Sequence, residues 1–216
     1  MLAWLFALII PFVLPLLDTP VVHAPSSRPT LFQAASASTP VVPEQTQTQP
    51  EKPQWILRDK AVLRAAQQAL TQLPELQGAP IQIYEQINFF DGTRPRIEID
   101  LQDPKQPENI LYYTYENGEW SPTPISEAPK PSGKNFARHL VPLAQIDFAQ
   151  AADIAQAWQQ KAQSVNAVET QAYHVALVWL PKQQKLMWHT AQIDADGARY
   201  YLSFHADGSV WEFKKF

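Results

Sequence analysis

Residues 199–213 read RYYLSFHADGSVWEF, and residues 110–120 read ILYYTYENGEW. Each carries a Tyr pair, an alternating run, an Asp-Gly or Asn-Gly pair and then Trp. Asn-Gly and Asp-Gly favour two-residue hairpin turns, because such turns need positive φ. Each stretch is therefore a predicted β-hairpin, and the chain contains the piece twice, about ninety residues apart.

The residues before each hairpin also match in order. Upstream of the first lies LRDKAVLRAAQQALTQL, Leu57 to Leu73. Val62, Ala66, Ala69 and Leu73 recur at helical spacing, with Asp59 near the start, where a carboxylate suits the helix dipole. Strands are predicted at Ile81–Phe89 and Arg96–Gln102; in the latter, Ile97, Ile99 and Leu101 alternate with polar residues. Upstream of the second hairpin, IDFAQAADIAQAWQQKA predicts a helix with Asp147 as N-cap and Gln150 three residues on. Its apolar stripe is Ala151, Ile154, Trp158 and Ala162. Strands follow at Tyr173–Leu180, Leu186–Asp194, Arg199–Ala206 and Ser209–Phe216.

The predicted fold is α+β, with two tandem helix-plus-antiparallel-sheet units of αβββ type. The first spans 55–125 and the second 141–216, joined by a Pro-rich connector at 126–140. Ahead of them lie a hydrophobic segment at 1–17 and a Pro-rich spacer at 18–54.

The order of helix, strands and a D/N-G turn followed by an aromatic, as in ENGEW and ADGSVWEF, resembles the PepSY-type repeat. That resemblance implies an exported, non-catalytic module with a role in peptidase inhibition or protein regulation, and it brings no catalytic residue. The two-copy αβ arrangement is also similar to that of beta-lactamase inhibitory proteins, without a shared motif.

Leu2 to Leu17, LAWLFALIIPFVLPLL, carries no charge before Asp18. Sixteen residues of helix reach about 24 Å, less than the roughly 30 Å hydrocarbon core. The segment suits a signal-peptide core, although no Lys or Arg precedes it, and an uncleaved anchor is the alternative. Both place the rest of the chain outside the cytoplasm: periplasmic, or membrane-anchored and facing the exterior. Residues 18–54 hold seven prolines among Ser, Thr, Gln and Ala, a composition that predicts a disordered spacer.

The chain has no Cys, which removes disulfides and thiolate metal sites. With a net charge of -4 and no basic stripe, a nucleic-acid partner is not expected. Neither G-x-S-x-G, nor a P-loop, nor H-E-x-x-H occurs. No catalytic, cofactor-binding or metal-binding residue is expected, and Glu98 and Asp100 read as the solvated face of a strand.

The candidate surface comes from strand register. A two-residue turn at Asp207-Gly208 sets Phe204 opposite Trp211 and Leu202 opposite Phe213, on the core side. A turn at Asp196-Gly197 sets His189 opposite Phe204, so His189 points to the core and His205 away from it. That separation argues against a site built from His174, His189 and His205. A first turn at Gln183-Gln184 sets Trp179 opposite Trp188. Trp179, Trp188 and Tyr201 are then predicted to form one apolar patch facing away from the helix, with Val175 and Leu177 beside it. The expected function is that of a non-catalytic exported binding or regulatory module contacting an unknown envelope protein, possible peptidase-inhibitor behaviour included. The alternative is a structural or assembly factor of the cell envelope.

Overall fold

The computed structural model describes residues 55–124 and 135–216. The proposed export segment and spacer, and most of the predicted connector, lie outside the described residues. No described helix is long and apolar enough to cross a membrane.

Helix α1 spans Lys60–Thr71. Asp59 caps it, accepting from the N–H groups of Ala61 at 2.9 Å and Val62 at 3.2 Å, which satisfies two donors the first turn leaves open. Its buried stripe is Leu63, Ala66 and Leu70. The stripe is thus turned from the predicted one, of which Ala66 alone is fully buried. Helix α2 spans Gln150–Ser164. Asp147 does not cap it directly. It accepts from Ala149 N–H in a lead-in turn, and the helix begins two residues later than predicted, with Ala149 at the N-cap position. The stripe of Ala151, Ile154, Trp158 and Ala162 is buried along its length.

Ten strands complete the described chain: β1 Gln82–Phe90, β2 Arg96–Gln102, β3 Ile110–Glu116, β4 Glu119–Pro122, β5 Leu140–Pro142, β6 His174–Leu180, β7 Lys185–Thr190, β8 Ile193–Ala195, β9 Ala198–His205 and β10 Val210–Lys215. They form one sheet, in the order β10-β9-β7-β6-β1-β2-β3-β4, with β5 on β1 and β8 on β9. This corrects the prediction of two tandem helix-plus-sheet units. The order of helix and strands does recur along the chain, but the strands do not close two sheets. β1 pairs with β6 antiparallel from Gln86↔Val178 to Phe90↔His174, and that ladder makes a single sheet-dominated layer.

Register carries one set of side chains across the whole sheet. Ile87 opposes both Ile99 and Leu177, Phe89 opposes Ile97 and Val175, and Leu177 opposes Trp188. Trp188 in turn opposes Phe204. Opposed residues share a face, so one face is apolar from β2 to β9, and both helices pack on it in one core. The other face carries no α-helix among the described residues; the 3-10 turn Phe136–His139 touches it at Tyr84, where Phe136 stacks at 5.5 Å. It is the open face of the sheet.

Residues 136–140, assigned to the connector from sequence, are structured. Phe136–His139 form a 3-10 turn and β5 pairs with β1 at Ile83↔Val141. β5 and β6 share one edge of β1, divided at Glu85, whose φ of 60° sits in a bulge of the strand between Ile83 and Ile87.

Candidate functional site

The predicted patch does not form. Trp188 is fully buried on the helix side, between Phe89 and the α2 stripe. Trp179 is on the same side, half-buried, and donates its indole N–H to Arg138 O at 2.7 Å. Tyr201 is on the open face. The β6–β7 turn has four residues, Pro181–Gln184, so Trp179 opposes Leu186, and Trp188 opposes Leu177.

A second shift has the larger effect. β8 and β9 pair through Asp196-Gly197 as predicted, with Ala195 opposite Ala198. β7 and β9, however, pair one residue out of step with that turn, with Trp188 opposite Phe204 and His189 opposite Ser203. The chain breaks at Ala191 and Gln192, and a one-residue slip turns every side chain to the opposite face. Trp158 holds the break from the helix, donating its indole N–H to Ala191 O at 2.7 Å. The slip lets both Trp188 and Ile193, an odd number of residues apart, bury completely on one side.

His189 therefore points away from the helices, and the predicted separation from His205 is corrected. His174, His189 and His205 all lie on the open face, on β6, β7 and β9. Each has a separate partner. His174 Nε2 is 3.1 Å from Asn88 Oδ1, and its ring stacks on Phe90 at 4.5 Å. His189 Nδ1 is 3.3 Å from the Tyr201 hydroxyl. The His205 ring stacks on Trp211 at 5.0 Å. Burial pushes His174 and His189 below the usual imidazole range, so both are neutral at pH 7. Among the described residues, no group of three His, Asp or Glu side chains is placed to hold a metal ion.

The open face is built around two aromatic stacks, each covered by a cation. The Arg96 guanidinium sits 3.9 Å over Phe90, and Lys185 Nζ sits 3.6 Å over Trp211. Such contacts are worth roughly 0.5–2 kcal/mol each and hold long side chains flat on the rings. Between the stacks lie Met187, Ser203, His189 and Tyr201, with Met187 and Ser203 buried. Trp211 belongs to this face and not to the core side: the β9–β10 register shifts between Val210 and Glu212 and turns it over.

An acidic stretch borders the first stack. Glu98 pairs with Arg96 at 2.6 Å. Asp100 lies across from Tyr112. Burial, then the charges of Glu85 and Glu98, push its carboxyl up to about 6. The reading of Asp100 as a freely solvated side chain is corrected: its neighbours shield it, even on the face without helices. Glu85, at the β1 bulge, contacts His139 Nδ1 at 2.6 Å.

Arg96, Phe90 and Lys185 were not singled out from sequence, and Trp211 was placed on the core side. Their grouping depends on β1 meeting β6 and on the β9–β10 bulge. The available signal was the polar phase of the Arg96–Gln102 alternation, which names one side of the first stack.

No family model matches the sequence, and no curated protein matches it. Among solved structures, the chain is similar to a "putative lipoprotein" from Clostridium difficile 630, with 14% identity over 63% of this chain and 84% of that one and a TM-score of 0.40.

Proposed function

We propose that this chain is a non-catalytic, exported binding or regulatory module, and that the open face of its sheet is the surface that binds a partner protein. The observation behind this reading is the pair of cation-covered aromatic stacks, Arg96–Phe90–His174 and Lys185–Trp211–His205, on the sheet face away from α1 and α2. Aromatic and Arg side chains anchor protein interfaces well. The stacks keep the rings rigid at low entropic cost, and the neighbouring Glu98 and Asp100 give the face both signs of charge. The apolar segment at Leu2–Leu17 supports export. The PepSY-type resemblance supports a regulatory role, with inhibition of a peptidase as its most specific form.

The test is photocrosslinking in a cell-envelope preparation. A benzophenone amino acid at Tyr201 should trap a discrete protein partner, and the same probe at Gln156 on α2 should not. Tyr201 probes that label nothing above the Gln156 background would end the open-face reading. Trapping from Gln156 alone would move the surface to the helices.

A further inference from the structure

The two ends of the sheet differ. At the β4 end, Thr123 N–H bonds inward to Tyr112 O at 2.8 Å. Pro122 therefore faces outward, where it offers no donor, and Pro124 follows. A proline on an edge strand blocks further pairing. The β10 end has no proline. Among the described residues, nothing pairs with its outer side.

The six exposed large hydrophobics among the described residues include Val210, Phe213 and Phe216, all on or beside β10. An exposed apolar edge strand is a pairing template unless charge or a bulge blunts it. The bulge at Val210–Trp211 does blunt the start of this one. Residues 212–216 remain regular.

The phase of that segment is fixed. Phe216 N–H donates to Arg199 O at 2.9 Å, so Glu212, Lys214 and Phe216 turn their backbone groups toward β9. Phe213 and Lys215 turn theirs to the free edge. The sequence there is Glu212-Phe213-Lys214.

We propose that β10 pairs antiparallel with β10 of a second copy, about a two-fold axis at Phe213. On that axis the two Phe213 residues exchange N–H···O=C bonds, and each Glu212 faces Lys214 of the other copy. The Glu–Lys pairs fall at the non-hydrogen-bonded positions, where side chains come closest. Both side chains lie on the open face, since Glu212 opposes Ser203 and Lys214 opposes Tyr201. The Phe213 rings meet on the helix side, where each already stacks on Tyr200 at 5.2 Å. Moving the axis by one residue sets Glu212 against Glu212 or Lys214 against Lys214, and like charges directly opposed are unfavourable. Charge thus selects one register. The pairing is isologous and closed, and it joins two open faces side by side.

The test uses the full chain in mild detergent. The chain has no cysteine, so Phe213→Cys supplies a single thiol on the axis. Mild oxidation should give a disulfide-linked dimer, while Glu119→Cys, on the opposite edge, should not. Glu212→Lys or Lys214→Glu, each added to Phe213→Cys, should cut the dimer yield about tenfold. Mixing those two variants should restore it, because every Lys then faces a Glu. Sedimentation of the same charge variants with Phe213 intact should show the same loss and rescue. Dimer yield indifferent to both charge reversals, no rescue on mixing, or a crosslink formed only to a different protein would each overturn the proposal.

Discussion

At the scale of single residues, Asp100 and Gly208 show how neighbours set a side chain's cost. Asp100 has a folded-state pKa of about 6 against an ordinary value of 3.8, because burial and two nearby carboxylates penalise its charge. Between about pH 4 and 6 the folded state holds this proton and the unfolded state has lost it. Asp100 therefore favours folding at the acid end of that window, and its contribution is lost as pH rises through 6. Asp100→Asn should raise stability at pH 7 by about 1–2 kcal/mol and flatten this part of the pH–stability profile in denaturant titrations. An unchanged profile would mean that Asp100 is solvated. Gly208 has φ of 86°, and a Cβ there would meet only Ile154 Cδ1 at 3.9 Å. The cost of Gly208→Ala is then conformational alone, about 1 kcal/mol, measurable as a lower melting temperature. The turn itself is longer than predicted: Gly208 N–H bonds to His205 O and His205 N–H to Ser209 O.

At the scale of elements, α2 determines how the second half of the sheet is read. Trp158 supplies both buried area and an indole donor to Ala191 O. Trp158→Phe keeps most of the area and removes the donor, leaving a buried carbonyl short of a partner. A loss of about 1–3 kcal/mol is expected, with faster amide exchange concentrated in β7 and β8. Uniform exchange across the sheet would show that Trp158 acts through packing only. Trp188 is a core residue and should behave as one. Trp188→Ala should cost about 3–5 kcal/mol in thermal or chemical unfolding, a loss that an exposed binding residue would not show.

At the scale of the whole molecule, the three open-face histidines each have an Asn, Tyr or Trp neighbour, which is why EDTA should leave the melting temperature unchanged. A fall on chelation that zinc restores would show those side chains regrouping around an ion. Much of the layout is local and was legible from sequence. The β2 alternation, the Asn117-Gly118 hairpin with Glu116 opposite Glu119, and the α2 stripe each follow from periodicity or turn chemistry within a dozen residues. The candidate patch was not legible, because register propagates. One residue released at Ala191–Gln192 turned Trp188 inward and His189 outward, and a tertiary bond from Trp158 holds that break. The sequence by itself determined where both helices and most of the strands lie and which residues are apolar, since those depend on neighbours along the chain; β5 and the break between β7 and β8 are the exceptions. Only the tertiary structure decided that the strands form one sheet and which face each aromatic occupies. The β1–β6 ladder joins segments almost ninety residues apart, and in a structure of period two a single extra residue exchanges inside for outside.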